Sequence, residues 1–375
     1  MKICILTQPL HTNYGGLLQA YALQTVLKRM GHDVLTEDRK RLVPHLSFWG
    51  RLKQISILRR MAGKTPYPVS PEAPLRQFLS CNTDRFIGNN ISMTLPVYGD
   101  SAFLQEKYNF DAYIVGSDQV WRPIYSPNLS NYFLDFTLGH HVKRIAYAAS
   151  FGTDEWEFTS KQTAECSELV KKFDAVSVRE DSGVKLCKRY FGIDAVHLLD
   201  PTMLLEKEDY INLVIAEDEP VHRGNVMTYF LDRTEEKDLM VDMICQRLYG
   251  TSFSVMPEKQ YCEVGPRGLS RCIFPSVTSW LRGFMDADYV VTDSFHGTVF
   301  SIIFNKPFIA IANKERGLSR FSSLLKMFGL EDRLVFSAED LTVELLSGKM
   351  DFNKVNAIRR YEQAKALMFI ENSLK

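Results

Sequence analysis

Short apolar runs alternate with helical patterns along almost the whole chain, and this alternation limits the possible folds more than any other feature. The first unit predicts a strand over 3–7, a polar loop ending at Gly15 and Gly16, a helix over 17–30 and a strand over 32–36. Strand, helix and strand in this order form a βαβ unit, whose two strands are parallel. The pattern therefore predicts a mostly parallel sheet with helices on both faces.

The alternation falls into two blocks. The first continues with predicted strands over 112–115, 145–149, 175–178 and 196–199, and the second has predicted strands over 226–231, 252–256, 288–291 and 307–312. A charged and polar stretch separates them, which places a linker near 205–222. A chain of 375 residues suits two domains. We therefore expect an α/β protein of two Rossmann-like domains, residues 1–205 and 222–345, with a cleft between them and a C-terminal helix over 350–375 packed back on them.

Residues 39–95 break the alternation and predict an insertion in the first domain. From residue 39 to residue 64 this segment carries basic and aromatic side chains and no acidic one. The pattern favours a solvated basic lobe or a docking face for another subunit. Our alternative hypothesis is a basic amphipathic helix that contacts anionic lipid or a lipid-diphosphate-linked acceptor, which liposome flotation with charge reversal of Arg59 and Arg60 would test.

Composition argues against several classes of protein. The 45 basic and 45 acidic residues balance, so nothing indicates a nucleic-acid partner. Seven cysteines without a CxxC pair argue against a disulfide framework and favour a reducing compartment. The first residues lack the pattern of a signal peptide, and polar residues interrupt the most apolar window, 295–312. We expect a cytoplasmic protein that the basic segment could also bring to the inner face of the cell membrane.

Common cofactor and metal signatures are missing from the sequence. The first loop has neither GxGxxG nor a Walker ending, and the chain contains no HExxH, clustered Cys and His, or GxSxG motif. The sequence therefore predicts neither a bound metal nor a resident cofactor.

The loop after the predicted strand 288–291 is the strongest candidate for chemistry. It reads Thr292, Asp293, Ser294, Phe295, His296, Gly297 and Thr298, and a helical apolar pattern follows. His296 would then lie beside a helix N-terminus, where N–H donors and a positive dipole end favour proton transfer next to a phosphate or carboxylate. The same spacing allows His296 merely to cap the helix or to fill a polar niche.

Four further loops carry candidate recognition groups. Asn13, Tyr14, Gly15 and Gly16 offer close backbone approach and N–H groups, or form a purely structural loop. Ser117, Asp118, Gln119 and Trp121 are typical of sugar or small-acid binding, with a simple helix N-cap as the alternative. Arg179 follows a third strand and is either a structural ion pair or a clamp for an anion, and Lys314, Arg316 and Arg320 follow the strand 307–312.

Taken together, six motifs resemble those of the polysaccharide pyruvyl transferase family over roughly residues 1–330. They are Asn13 to Leu23, Gly116 to Trp121, Tyr147 to Gly152, Ser177 to Gly183, Asp200-Pro201-Thr202 and Thr292 to Gly297. The resemblance implies a two-domain fold similar to GT-B glycosyltransferases. It also implies phosphoenolpyruvate as donor and a sugar with two hydroxyls as acceptor, in a surface polysaccharide or its lipid-linked precursor, to give a pyruvate ketal.

The resemblance assigns roles to individual residues. The family's histidine falls on His296, with Phe295 in the preceding donor-site position, and its arginine falls on Arg179. Some members carry an arginine two residues before the histidine, where this chain has Ser294. The donor's anionic groups must then be held otherwise, and we predict a donor site of Arg179, Ser294, Phe295, Gly297, Lys314 and Arg320.

Ketal formation from an enol phosphate requires a proton at the methylene carbon, and His296 is the predicted acid. Asp118 and Asp293 are candidates for deprotonating the acceptor. The predicted acceptor site comprises Asn13, Tyr14, Gly15, Gly16, Ser117, Gln119 and Trp121. A GT-B-like glycosyltransferase using a nucleotide sugar and a non-catalytic sugar-binding protein of envelope assembly are the alternative functions.

Overall fold

Two separate parallel sheets organise the chain in the computed structural model, which describes residues 1–40, 73–126, 128–312 and 317–375. The strands are β1 (Lys2–Leu6), β2 (Asp33–Lys40), β3 (Met93–Tyr98), β4 (Ala112–Val115), β5 (Lys143–Ala149), β6 (Ala175–Val178), β7 (Val196–His197), β8 (Val226–Tyr229), β9 (Ser252–Ser254), β10 (Tyr289–Thr292), β11 (Phe308–Ile311) and β12 (Leu334–Val335).

Helices connect these strands. They are α1 (Tyr14–Arg29), α2 (Ala73–Leu79), α3 (Cys81–Asn90), α4 (Phe103–Tyr108), α5 (Ser160–Val170), α6 (Asp181–Leu186), α7 (Lys207–Ala216), α8 (Glu235–Leu248), α9 (Tyr261–Val264), α10 (Val277–Asp286), α11 (Phe295–Ile303), α12 (Leu318–Phe328), α13 (Val343–Ser347) and α14 (Phe352–Leu374). Short 3₁₀ turns add to them, among which Pro201–Leu204 matters for the site.

The strand order places two switch points at the carboxyl ends of the sheets. The first sheet runs β3-β2-β1-β4-β5-β6-β7 and the second runs β12-β11-β10-β8-β9, with parallel pairing throughout. The direction of strand addition reverses between β1 and β4 and again between β8 and β10. A crevice opens at such points, where doubly wound sheets bind their ligands. The expectation of two Rossmann-like units is confirmed.

Tyr14 joins the two units through its side chain. Its ring is fully buried and stacks on Trp280 at 5.7 Å between centroids, and it also lies 6.2 Å from Tyr229. Its hydroxyl donates to the carbonyl oxygen of Pro275 at 3.0 Å. Because both apolar area and a hydrogen bond cross the boundary here, the N-terminal turn of α1 is anchored to the second unit.

Three sequence-based expectations need correction. Helix α1 begins at Tyr14 rather than at residue 17, so Gly15 and Gly16 lie in its first turn. The linker predicted near 205–222 contains α7, which a capping box between Glu206 and Asp209 starts. The described end of the 39–95 segment forms α2, α3 and β3, and β3 pairs with β2 in the sheet. Residues 41–72, with the predicted basic amphipathic helix, lie outside the described residues.

The C-terminal helix α14 packs against the first sheet near β5 and against α12 of the second unit. Arg359 on this helix forms an ion pair with Glu206 at 2.5 Å and donates to the carbonyl oxygen of Leu205 at 3.2 Å. The ring centroid of Phe369 lies 6.4 Å from that of Tyr147 in β5. The helix therefore reaches elements of both units. Across the described ranges, none of the helices is both long and apolar enough to cross a membrane.

Replacing Tyr14 with Phe should lower the free energy of unfolding by about 1 kcal/mol, because the partly buried carbonyl oxygen of Pro275 loses its donor while the ring packing remains. Urea denaturation measures the effect. The matched control is Tyr98→Phe, since the Tyr98 side chain is 65% exposed and should contribute little. Equal unfolding energies for the two variants would contradict the anchoring role of the hydroxyl.

Candidate active site

The carboxyl ends of both sheets face one cavity of about 460 Å³. Its walls come from the loops after β1 and β4 in the first unit and from the starts of α11 and α12 in the second. Polar and charged residues such as Asp118, His296 and Arg320 line it together with aromatic residues such as Tyr125 and Phe274. A cavity of this size at two switch points is the expected place for a small-molecule site.

Ser294 caps α11 and thereby orients His296. The Ser294 hydroxyl accepts a hydrogen bond from the Gly297 N–H at 3.4 Å, and the Ser294 N–H donates to Thr292 Oγ1 at 3.1 Å. A Cβ at Gly297 would lie 2.2 Å from Thr292 Oγ1, so this position requires glycine for packing. Phe295 and His296 occupy the first helical turn, where N–H groups have no intrahelical partner. Gly297, predicted to bind the donor, has a local structural role instead.

The first unit encloses His296, although the histidine belongs to the second. The side chain is 7% exposed. A Cβ at Gly15 would lie 2.1 Å from Cγ and Nδ1 of the imidazole, so α1 can approach the ring only through a glycine. Because Gly15 lies in the first turn of α1, the N-termini of α1 and α11 meet at this ring. Two converging helix N-termini favour an anionic ligand.

Asp200 connects His296 to the first unit. Its carboxylate is fully buried, and Oδ2 lies 2.7 Å from Nη1 of Arg179 and 3.5 Å from Nε2 of His296. The other oxygen, Oδ1, accepts hydrogen bonds from the amide and the hydroxyl of Thr202, at 3.0 and 2.7 Å. Burial alone would raise the pKa of Asp200, but His296 and Arg179 more than offset it and hold the pKa below its ordinary value. Asp200 is therefore a buried, charged group of the site.

Arg179 lies among three carboxylates. Besides Asp200, its guanidinium is 3.5 Å from Asp118 Oδ1 and 3.8 Å from Glu180 Oε1. Burial would lower the pKa of Arg179, and these three carboxylates together raise it above its ordinary value. Within the described part of the chain, Nε and Nη2 are buried without a hydrogen-bond partner. The structure shows the ion pair, which is one of the two interpretations that the spacing of Arg179 had left open; its role as a clamp for an anion stays a prediction.

Phe295 brings Arg179 close to Arg320. The guanidinium carbon of Arg179 is 4.5 Å from the ring centroid of Phe295, and that of Arg320 is 5.8 Å from it. Burial and then the charge of Arg179 lower the pKa of Arg320 to about 10. Two cations held this close repel each other, and an anion between them would relieve the repulsion. Lys314, predicted for the same role, lies outside the described residues.

Glu180 is a buried carboxylate next to Arg179. Its side chain is buried, and Ser150 donates a hydrogen bond to it. Burial raises the pKa of Glu180, and the opposing effects of Arg179 and Ser150 only partly offset this. Glu180 is thus a buried acidic neighbour of Arg179, and its charge is one of the three that raise the pKa of Arg179.

The loop after β4 divides its predicted residues between the core and the cavity. Asp118 and Gln119 line the cavity. Ser117 is fully buried, and its hydroxyl donates to the carbonyl oxygen of Ala148 at 2.9 Å and lies 3.3 Å from Asp200 Oδ2. Asp118 therefore presents a carboxylate to the cavity, whereas Ser117 supports the buried cluster.

Trp121 and Tyr14 were predicted to contact the acceptor, and the structure places both away from it. Trp121 is fully buried, stacks on Phe133 at 5.0 Å and donates its indole N–H to the carbonyl oxygen of Tyr132 at 2.9 Å. Tyr14 is buried at the boundary of the two units. Neither ring is available to stack on a sugar. Asn13 and Gly16 line the cavity, while Gly15 is covered by His296.

Asp293 has a structural role in this arrangement. It is 1% exposed, accepts hydrogen bonds from the amides of Leu231 and Asp232 at 2.7 and 3.1 Å, and pairs with Lys237 at 2.6 Å. These donors occupy both carboxylate oxygens. The geometry therefore gives no support to Asp293 as an acceptor base and leaves Asp118 as the better placed carboxylate.

Sequence reasoning gave no site role to Asp200, Glu180 or Tyr125. The motif Asp200-Pro201-Thr202 after a predicted strand was a usable signal, because an aspartate that caps a short turn at a carboxyl strand end lies near the other strand ends. Nothing local distinguished Tyr125 from other loop aromatics. Among the described residues, no group of three or more His, Cys, Asp and Glu side chains is arranged to hold a metal ion.

Comparison with known proteins agrees with this geometry. The sequence model of the polysaccharide pyruvyl transferase family matches residues 13–315, which confirms the resemblance. No curated protein matches the chain.

Solved structures identify the fold. The chain is similar to a glycosyltransferase from Rickettsia africae, at 11% identity and a TM-score of 0.51 over 99% of this chain and 96% of that one. It is also similar to UDP-GlcNAc 2-epimerase from Neisseria meningitidis bound to UDP-GlcNAc, at 9% identity and a TM-score of 0.51 over 100% and 99%. At such low identities these similarities show the fold alone, and they confirm the expected GT-B-like architecture.

Replacing Gly15 with Ala should displace the imidazole of His296 and lower the free energy of unfolding by about 1–3 kcal/mol, because the new methyl group overlaps the ring. Chemical denaturation and the crystal structure of the variant measure both effects. Gly88→Ala is the matched control, since Gly88 is also helical and a Cβ there meets nothing within 4 Å. If both variants unfold alike and His296 keeps its position, α1 does not constrain the ring.

Proposed function

The chain belongs to the polysaccharide pyruvyl transferase family, and from this premise we propose that it transfers the enolpyruvyl-derived group of phosphoenolpyruvate to two hydroxyls of a sugar. The acceptor would be a surface polysaccharide or its lipid-linked precursor, and the product a pyruvate ketal. The observation that carries the proposal is the pair of buried arginines, Arg179 and Arg320, on the ring of Phe295 next to His296.

The charge distribution suits a small donor with two anionic groups. Phosphoenolpyruvate carries a carboxylate and a phosphate, and planar guanidinium groups bind both through paired hydrogen bonds. Arg179 would supply Nε and Nη2, and Arg320, which lines the cavity beside Phe295, would supply the second guanidinium. Ser294 stands where some family members have an arginine, so these two side chains carry the role in this chain.

The reaction places specific demands on the neighbouring groups. His296 would deliver a proton to the methylene carbon of the donor, which leaves a cationic carbon that the first sugar hydroxyl attacks. Asp118 would accept the proton of that hydroxyl, and the second hydroxyl would displace phosphate and return its proton to His296, which gave up its own in the first step. The N-termini of α1 and α11 would stabilise negative charge on the departing phosphate.

The remaining part of the cavity suits a sugar. Asn13, Gln119 and Gln8 line it and offer amide donors and acceptors, and Tyr125 adds an exposed aromatic ring. Sugar hydroxyls require paired donors and acceptors, and sugar rings stack on aromatic faces. We therefore assign the donor to the region around Phe295 and the sugar acceptor to the region around Tyr125.

Phosphoenolpyruvate should stabilise the protein against heat, whereas UDP-glucose, UDP-GlcNAc and GDP-mannose should not. Thermal unfolding with each compound measures the difference, because a ligand at 100 times its Kd adds about 2.7 kcal/mol of stability. The double variant Arg179→Lys/Arg320→Lys keeps the charges and loses the planar forks, so it should lose most of the effect. Stabilisation by a nucleotide sugar and not by phosphoenolpyruvate would favour a glycosyltransferase instead.

His296→Ala should retain binding of phosphoenolpyruvate and lose turnover by at least about 10²-fold, which is the lower end of the usual contribution of a general acid. Turnover is measured by mass spectrometry as pyruvate ketal on whichever glycoside of a hexose panel the wild type modifies best. His141→Ala, an exposed histidine substitution, is the matched control and should behave as wild type. Near-normal turnover of His296→Ala would exclude the assigned role.

A further inference from the structure

We propose that Asp200 is a positioning residue, whose carboxylate fixes both the imidazole of His296 and the guanidinium of Arg179 across the boundary between the two units. The role deepens the proposed function, on which its kinetic consequences rest. Its structural consequences can be measured without any substrate.

The fixed end of this carboxylate is Oδ1. Asp200 follows β7 and starts the 3₁₀ turn Pro201–Leu204, and its Oδ1 accepts from both the amide and the hydroxyl of Thr202. Thr202 is itself fully buried, and its carbonyl oxygen accepts a hydrogen bond from the hydroxyl of Tyr210 at 2.7 Å. Because these groups belong to the first unit and to α7, the carboxylate cannot rotate without breaking its own turn.

The other oxygen, Oδ2, collects groups from three different elements. Nη1 of Arg179 comes from the end of β6, the hydroxyl of Ser117 from the loop after β4, and Nε2 of His296 from the start of α11. Only His296 belongs to the second unit. The carboxylate is therefore the direct polar link between the buried cluster of the first unit and the histidine that the proposed reaction uses.

The chemistry of the partners explains why an aspartate is required. The amide of Thr202 and the guanidinium of Arg179 can only donate hydrogen bonds, and they approach opposite oxygens of the carboxylate. An asparagine would have to turn its NH₂ group toward one of them. Asp200→Asn therefore preserves volume and creates a donor facing a donor in a buried place.

The contacts of Asp200 determine which nitrogen atoms of Arg179 and His296 face its carboxylate. With Nη1 of Arg179 held by Asp200, Nε and Nη2 remain as the buried donors for an anion. Nε2 of His296 lies 3.5 Å from Oδ2 of Asp200 and has no hydrogen-bond partner among the described residues, so the carboxylate is the charged group that faces this nitrogen. The pKa of Asp200, which is below its ordinary value, agrees with a carboxylate that stays charged beside both groups.

The substrate-free test is nitrogen NMR of histidine side chains in wild type and Asp200→Asn, with the His296 signals assigned by their loss in His296→Gln. We expect the Nε2 signal of His296 to change in chemical shift and its proton to exchange faster with solvent in Asp200→Asn. Glu37→Gln is the matched control. Glu37 is a fully buried carboxylate paired with Arg39 at 2.9 Å, and it does not line the cavity. It should leave the His296 signals unchanged.

The kinetic test separates the two links. Asp200→Asn should lower kcat by at least about tenfold through His296 and raise KM for phosphoenolpyruvate through Arg179, since displacement of the acid affects the transition state and displacement of the clamp affects binding. Glu37→Gln should leave both constants within about twofold of wild type, because it touches neither group. A lowered kcat with unchanged NMR signals would contradict the positioning role.

A second variant covers the case in which Asp200→Asn does not fold. Thr202→Val is nearly isosteric and removes only the hydroxyl that anchors Oδ1. It should shift the His296 signals in the same direction and lower kcat less. Unchanged His296 signals in every folded variant would overturn the proposal. If wild type fails to bind phosphoenolpyruvate, the proposed function is wrong, and the NMR comparison still decides the role of Asp200.

Discussion

The buried contact between the carboxylate of Asp200 and the guanidinium of Arg179 is the interaction on which the arrangement of this site depends. Removing two charges from water costs several kcal/mol each unless geometry and further hydrogen bonds compensate. Here Thr202 and Ser117 supply those bonds to the carboxylate, and Asp118 and Glu180 share the guanidinium. The ends of β4, β6 and β7 must then remain in register, because each contributes two members of the cluster.

The two helix N-termini beside this cluster are tightly packed and depend on small residues. Helix α11 presents His296 to the cluster only if Ser294 caps its first turn and Gly297 lies against Thr292. Helix α1 reaches the same ring only because Gly15 has no side chain. Tyr14, next to that glycine, holds the turn against the second unit through Trp280. Backbone and ring packing thus bring two helix N-termini to one imidazole.

Much of the fold was predictable from the sequence because buried parallel strands leave a strong local pattern. The bounds of β4 and β6 agree with the predicted strands 112–115 and 175–178. Helix α7 was missed because its apolar face is narrow, with Tyr210 and Val214 as its buried residues, and its polar composition reads as a linker. Strand β3 was missed because Pro96 and the exposed Leu95 interrupt the apolar pattern that predicts a strand. Such an interruption is tolerated here because β3 lies at the edge of the sheet.

The candidate site was predictable in position and less so in detail. An apolar run followed by a helical pattern places the intervening loop at the carboxyl end of a strand. The position of His296 near the cavity therefore followed from local pattern. The direction of a side chain within a loop does not follow from local pattern. Trp121 turns into an aromatic cluster with Phe133, whereas Tyr125, four residues later, reaches the cavity. Asp200 shows its importance only through partners distant in sequence, such as His296.

Domain contact and proposed chemistry are linked in this architecture. His296 belongs to the second unit, but its ring is covered by Gly15 and faced by Asp200, both from the first. Arg320 of the second unit and Arg179 of the first meet on one side chain, Phe295. Neither unit alone therefore contains the cation pair or the enclosed histidine. Separation of the units would expose the imidazole to water and take the two arginines apart, so binding of the proposed anionic donor would favour the arrangement with the units in contact, which the proposed proton transfer requires.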